Sequence, residues 1–565
     1  MTTTPTMPAA AHALGGNLDE QTLTMMLEAL GDFVAAEMPD DRILELDHED
    51  VCPEDTVRAM CSDALGVQLV FIPEAYGGLG GGAFDSYRIC EQLARVDIGL
   101  ATSVFATFLG SDPILMGGTE EQRKEWLGRI AEEGILFAYG ATEPEAGSDL
   151  GAMRTTAVPV AEGYRINGRK QWISNGSIAD AFTILAMTPN GPSWFIVEKG
   201  AEGFSSAKPE DKHGIRLSNT AALFLDDVVV PHESLVGGEE GRGLVQAQQV
   251  FGYTRLMVAA FGLGGGWAAM DRAITYSTQR AQGGSPLSEK QGYTHKLVVP
   301  HVVRLEAARA YVEETAIRID AGEGDGGALN TEGAIAKYLA TEAGVAAADA
   351  AIQAHGGYGY TRPYLVEKIR RDVRITTIYE GTSEIMEMTV GRDRWQHHLK
   401  TAGAYFHDLA SQVRSLQPGH PEVGAETAAL GLDCLAAVFE ACRVGRLTRN
   451  QHVLLRLGAL ASAAEGAAAL VRRAVAAAEG TLPEKAARRF DADGLAAVSR
   501  VNARLAAAEV AEEGLRWVSG AADPGSAQQL AATLPLEQVR AAQAGLIADM
   551  DAVADALYDR RTPDA

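Results

Sequence analysis

Apolar residues recur three and four positions apart over residues 84–94 and again over 119–130, which predicts amphipathic helices that each bury one face. That helical pattern holds from Asp19 to Phe137. After Gly140 the period changes. Residues 155–160, 164–166, 170–173, 182–187, 193–198 and 221–230 are short runs rich in β-branched and aromatic residues, and they predict strands. Asn167-Gly168, set between two of these runs, predicts a hairpin turn. The strand block closes near Pro231, and the helical period returns from Val245. Beyond Lys400 the chain is rich in Ala. There Leu430, Cys434, Leu435, Val438, Phe439 and Cys442 form one helical stripe, and Leu546, Met550, Val553 and Leu557 form another. Interruptions at Gln417-Pro418-Gly419, at 480–483 and at Asp523-Pro524-Gly525 divide this last section into several helices.

The alternation predicts an α+β chain with its sheet segregated in the middle. Its sections are a loose tail (1–18), an N-terminal helical domain (19–137), a central antiparallel β domain (138–248), a C-terminal helical domain (249–399) and an all-α extension (400–565). At 565 residues the chain exceeds what one core accommodates. With 47% apolar and 22% charged residues, its composition is that of a globular protein. No run is apolar over the roughly 20 residues that a membrane span requires. The first 16 residues lack the charged and apolar regions of a signal peptide. Cys52, Cys61, Cys90, Cys434 and Cys442 show no CxxC and no clustering with His, which points to a reducing, cytoplasmic compartment and to no metal site. A formal net charge of −26 disfavours nucleic acid and anionic lipid as partners. The Gly-rich run 77–82 has no strand before it and reads as a turn, not a dinucleotide fingerprint.

Chemistry concentrates in a few motifs. Ile378-Tyr379-Glu380-Gly381-Thr382-Ser383 places one carboxylate in an apolar and aromatic strip, where burial would raise its pKa and make it a usable base. Taken alone, Glu380 could equally cap a helix or face solvent. The segments Ala141-Thr142-Glu143-Pro144-Glu145-Ala146-Gly147-Ser148-Asp149 and Trp172-Ile173-Ser174 precede it, and Gln353-Ala354-His355-Gly356-Gly357 lies between. With Pro73-Glu74-Ala75-Tyr76-Gly77-Gly78-Leu79-Gly80 near the start, these resemble, in order and spacing, the motifs of the acyl-CoA dehydrogenase family over residues 19–394. Glu145 stands where the family has Gly. The extension resembles in size and place that of the very-long-chain branch.

The resemblance implies a four-helix bundle for the C-terminal domain, FAD as cofactor and an acyl-CoA thioester as substrate. Glu380 would take the α-proton while the β-hydride passes to flavin N5, giving a trans-2-enoyl product, and its amide would donate to the thioester carbonyl. Tyr139, Ala141, Thr142, Trp172, Ile173 and Ser174 would surround the flavin ring, with Thr142 and Ser174 as donors and Trp172 over one face. Ser148 would reach both the pyrophosphate and the CoA moiety. The adenine half would be held by Arg280, Gln291, Gln353, Gly356 and Gly357 across a subunit interface, with Thr382 and Glu384 nearby. Gly283 replaces the Phe usual beside Arg280, so one aromatic contact is missing there. Tyr253, Thr254, Arg255, Tyr379 and Gly381 would contact substrate. For Thr142, Ser148 and Asp149 turn chemistry is the alternative, for Arg280 a solvated cation, and for Arg255 an interior salt bridge. Thr254 is not an acid, which leaves Glu380 as the base in the commoner arrangement. Phe105, Thr107 and Phe108 fall at the pocket bottom of relatives. No Arg lies between Leu100 and Gly117 to receive a distal carboxylate, which disfavours a dicarboxylyl substrate. Electron-transferring flavoprotein is the expected acceptor and a homodimer the expected assembly, with a tetramer and peripheral membrane contact as weaker alternatives. An oxidase using O₂, a DNA-binding relative and a catalytically silent homologue are the competing functions.

Overall fold

Helix Ile98–Gly117 has no polar stripe and is buried along nearly its whole length, as a helix apolar on all sides must be. In the computed structural model, which describes residues 16–323 and 329–560, the chain divides into two units. One comprises 1–265, 315–333 and 371–376; the other comprises 266–314, 334–370 and 377–565. The N-terminal tail lies mostly outside the described residues. By Leu18 the chain is already tied down, its amide donating to Asp85 Oδ2 at 2.8 Å.

In the first unit, local chemistry sets the helix ends. Asp97 caps helix Ile98–Gly117 by accepting from the Leu100 amide at 2.9 Å. Thr119 and Gln122 form a reciprocal capping box at the start of helix Glu120–Glu133. The Gly-rich run is a turn, as read from the sequence. A Cβ on Gly78 would lie 1.8 Å from the Ile72 carbonyl oxygen, so only Gly fits this approach.

Among the described residues the larger sheet has seven strands: β1 (Phe137–Gly140), β2 (Thr156–Val160), β3 (Gly163–Ser174), β4 (Ala181–Thr188), β5 (Gly191–Glu198), β6 (Phe204–Ser206) and β7 (Thr220–Val230). Their order is β1-β4-β2-β3-β7-β6, with β5 paired to β4. The sheet is not wholly antiparallel, because β1 and β2 both run parallel to β4. The expected Asn167-Gly168 hairpin does not form either, and β3 runs straight through it. There the register against β7 shifts, and the Asn167 amide exchanges two hydrogen bonds of 2.9 Å with Asp227, one to its carboxylate and one from its backbone N–H. Paired across strands in this way, Asn-Gly serves an irregularity within a strand instead of a turn.

In the second unit, close helix contact is made by glycine. A Cβ on Gly266 would meet Leu305 at 2.7 Å and the Gly344 backbone at 2.9 Å, so helices Gly243–Gln279, Val299–Asp320 and Asn330–His355 converge there. Helix Gln451–Ala478 of the extension packs on helix Ser383–Lys400, which follows the Glu380 segment. Gly458 backs onto the Glu387 carbonyl and Gly391 onto the Leu454 carbonyl, where added Cβ atoms would sit 2.0 and 2.5 Å away. Arg394 forks onto Glu465 at 2.6 and 2.8 Å, both side chains buried, and Tyr311 donates to the same carboxylate at 3.1 Å. Two helices, Ile98–Gly117 and Gln451–Ala478, do reach the length and hydropathy of a membrane span, contrary to the reading of the sequence. Their most apolar windows are 94% and 78% buried inside the protein, so core packing accounts for the composition.

Arg394→Ala leaves a buried carboxylate without its guanidinium and is expected to cost about 3–5 kcal/mol in denaturant unfolding. Arg394→Met combined with Glu465→Met should recover most of that loss. A single variant as stable as the parent would show that the pair contributes little.

Candidate active site

In the first unit the segment following β1 is bound to strand β3. Lys170 is fully buried; its ammonium donates to the Ala141 carbonyl at 3.1 Å and to Glu143 Oε1 at 2.7 Å. The Gln171 amide donates to the Thr142 carbonyl at 3.0 Å. Glu143 also accepts from the Arg154 and Thr155 amides at 2.6 and 3.0 Å. Burial acts to raise the pKa of Glu143, but hydrogen bonds from Lys170, Thr155 and Arg154 hold it below the usual carboxylate range. Burial lowers Lys170 from 10.5 to about 8, against the opposing pull of Glu143. Glu143 and Ala146 exchange backbone hydrogen bonds at 2.9 and 3.2 Å, closing a tight turn around Pro144 and Glu145. Beyond it Ser148 is exposed.

Two residues later along β3 the strand bulges. Lys170 pairs with Leu223 and Ile173 with Ala221, which leaves one extra residue on β3. Trp172 sits in this bulge with φ 56° and is 60% exposed. A bulky residue in the left-handed region is a conformational outlier of the kind that gathers at functional sites. Ile173 points into the core, and Ser174 is half-buried. Asn175 is left-handed too (φ 59°) and fully buried; its amide donates to the Ser103 carbonyl at 2.8 Å, which fixes the end of the strand against helix Ile98–Gly117. Half-buried Tyr139 packs on Trp194, ring centroids 4.7 Å apart.

Tyr253, Thr254 and Arg255 are buried on helix Gly243–Gln279. Burial, with Asp112 adding to it, drives the Tyr253 hydroxyl far above its ordinary pKa, so it stays neutral. Arg255 donates to the Asn330 carbonyl at 3.0 Å and to the Asn330 side chain, anchoring the start of helix Asn330–His355. Phe105 packs edge-on against Phe261, and Phe108 stacks on Phe71 at 3.8 Å.

In the second unit Tyr379 and Glu380 are half-buried, ahead of helix Ser383–Lys400. Glu380 has φ 53° and Gly381 φ 94°, two left-handed residues in succession. Thr382 then caps the helix by accepting from the Ile385 amide at 3.4 Å, and Glu384 is exposed in its first turn. The fully buried Lys337 donates to the Gly381 carbonyl. Gln353 and Gly357 are exposed, and Gly356 turns the chain with φ 60°. Arg280 is exposed, and the Gln291 amide donates to Asp551 of the last helix at 3.1 Å. From the sequence alone, no role attaches to Lys170, Glu143, Asn175 or Lys337. A Lys set among Ala334, Ile335, Ala336 and Ala340 on an apolar helix was the available sign of the last.

Known proteins bear on this arrangement. The descriptions "Acyl-CoA dehydrogenase, N-terminal domain", "middle domain" and "C-terminal domain" match residues 20–134, 138–228 and 241–394. An acyl-CoA dehydrogenase of Bacillus subtilis is 36% identical over 380 residues, covering 66% of this chain and 97% of that protein. The chain belongs to the acyl-CoA dehydrogenase family. A crystal structure of an acyl-CoA dehydrogenase complexed with FAD from Bacillus anthracis is 26% identical with a TM-score of 0.82, covering 98% of this chain and 97% of that one. Its coverage takes in the helices after Lys400. A chain from the structural study of the electron transferring flavoprotein of Acidaminococcus fermentans is 35% identical with a TM-score of 0.63, covering 67% of this chain and 98% of that one. This family member is an FAD-dependent oxidoreductase acting on acyl-CoA substrates. The residues present fit the cofactor: an indole held outward by a bulge, with the half-buried hydroxyls of Thr142 and Ser174 on two segments bound to each other, offers a ring face and donors to a flavin.

Lys170 gives a pH signature. Between about 8 and 10.5 the folded state binds fewer protons than the unfolded one, so this group makes unfolding harder as pH rises through that window. Below it the burial penalty is fully present. Lys170→Met abolishes the dependence, and the stability difference should move toward the wild type from about pH 8 to about pH 10 in urea titrations. A flat difference would show that Lys170 keeps its proton.

Proposed function

We propose that this enzyme introduces a trans-2 double bond into an acyl-CoA thioester, with Glu380 as the base that takes the α-proton. The observation that carries the proposal is the backbone at Glu380. A non-Gly residue in the left-handed region, followed by Gly381 in the same region, is a disfavoured conformation held at the mouth of a helix. FAD supplies the acceptor for the β-hydride when bound. Glu380 offers a carboxylate for the α-proton and its own amide N–H for the thioester carbonyl, where charge develops. Thr142 and Ser174 offer hydroxyl donors to the flavin ring, and Trp172 offers its face. Ser148, Tyr253, Arg255, Tyr379 and Gly381 serve the CoA thioester; Arg280, Gln291, Gln353, Gly356, Gly357, Thr382 and Glu384 serve the dinucleotide half of the cofactor. Electron-transferring flavoprotein receives the electrons, a reading supported by the likeness to the chain studied with the Acidaminococcus fermentans protein. The assembly is a dimer, a reading supported by the extension helix that already covers helix Ser383–Lys400.

Glu380→Gln should stay yellow and bind acyl-CoA, yet lower the rate of anaerobic flavin bleaching by about 10²–10⁴-fold. Near-normal single-turnover reduction would place the base elsewhere. Thr142→Val and Ser174→Ala should loosen FAD or lower its reduction potential while proton abstraction persists. If both variants kept the parent's affinity and potential, these hydroxyls would not face the ring. Stopped-flow mixing of the reduced enzyme with air should show slow reoxidation, and fast reoxidation would make O₂ the acceptor.

A further inference from the structure

Lys337 lies on helix Asn330–His355 among Ala334, Ile335, Ala336, Ala340 and Thr341, all buried, and is itself fully buried. An ammonium removed from water is costly unless an acceptor meets it. Here it donates to the carbonyl of Gly381. That carbonyl stands outside the ladder of helix Ser383–Lys400, whose first backbone bond runs from the Met386 amide to the Thr382 carbonyl at 2.9 Å. It closes the pair of left-handed residues, Glu380 and Gly381, that presents the carboxylate. Lys337 thus touches the turn itself. Two neighbouring contacts grip the helix beyond the turn: Tyr338 donates to Glu387 Oε1 at 3.2 Å, and Ser383 donates to Glu342 Oε1 at 2.5 Å.

We propose that Lys337 is a positioning residue for the proton-abstraction step, holding the Glu380–Gly381 turn in its left-handed form through the Gly381 carbonyl so that the carboxylate is delivered to the α-carbon. This rests on Glu380 being the base. Left-handed φ is disfavoured at a Glu, so without the ammonium the turn relaxes toward ordinary backbone angles and the carboxylate moves with it. A displacement near 1 Å is enough to cost a positioned catalytic group about 10²-fold in rate.

The test uses the FAD-loaded full chain. Lys337→Met should retain FAD content and the spectral shift on binding acyl-CoA, while flavin reduction slows by about 10²-fold. The α-deuterium isotope effect on reduction should grow, because abstraction then limits the step. Amide exchange over residues 379–382 should quicken in the absence of substrate. Tyr338→Phe, which removes a contact of the same helix beyond the turn, should leave both rate and isotope effect at parent values. Should the Met variant not fold, Lys337→Gln decides; it keeps an N–H donor at shorter reach and is expected to be roughly tenfold slower with the same growth in isotope effect. A parental rate and isotope effect in a folded Lys337 variant would overturn the proposal, as would an equal effect of Tyr338→Phe. Glu380→Gln run in parallel separates the two claims. If it reduces normally, the base assignment fails; if it is inert while Lys337→Met is normal, only the role of Lys337 fails.

Discussion

A charge taken out of water must be met by acceptors, and the fully buried Lys170 and Lys337 each meet that demand on a main-chain carbonyl. Lys170 holds the carbonyl of Ala141, and Lys337 holds the carbonyl of Gly381. Each carbonyl belongs to an irregular segment that regular secondary structure would not fix: the turn after β1 and the left-handed turn before helix Ser383–Lys400. Loops without ladders have few internal bonds to keep one conformation. A buried ammonium on a rigid strand or helix substitutes for the missing ladder, and its cost of burial makes alternative placements poor. The segments that carry Thr142 and Glu380 are therefore as fixed as the elements behind them.

Strain is placed with the same economy. Trp172 and Glu380 adopt left-handed backbone that their side chains disfavour, and Asn175, a residue type that tolerates it, is left-handed as well. Each is over-determined by its surroundings: Trp172 by the bulge between Lys170 and Ile173, Asn175 by its bond to the Ser103 carbonyl, and Glu380 by the cap and carbonyl contacts that follow it. In each case the unusual φ turns a side chain away from the path its strand or turn would otherwise give it.

Much of this was legible in the sequence. The change from helical to strand period at Gly140 and back near Val245 announced the α+β order, and the segments around Thr142, Trp172 and Glu380 carried the family resemblance. What escaped notice was non-local. Periodicity describes a residue's own element, so it could not say that β1 and β2 run parallel to β4 or that Asn167 pairs with Asp227 across strands. Lysines are ordinarily solvated, so Lys170 and Lys337 read as surface residues until their partners, 29 and 44 residues away, are seen. Helices Ile98–Gly117 and Gln451–Ala478 are apolar enough to span a membrane yet are largely buried inside the protein, because a core helix and a lipid-facing one can share a composition.

The ion pair between Arg394 and Glu465 joins residues 71 positions apart, and Glu465 belongs to the section that follows the part matched in shorter relatives. During synthesis, therefore, the helix after Glu380 emerges well before Glu465, the buried carboxylate onto which its guanidinium forks. Domains ordinarily fold in the order in which they leave the ribosome. Here Arg394 and Tyr311 lack the Glu465 carboxylate until helix Gln451–Ala478 arrives. The C-terminal section is thus a late-delivered piece of the second unit's interior, and that interior is complete only once helix Gln451–Ala478 has been made.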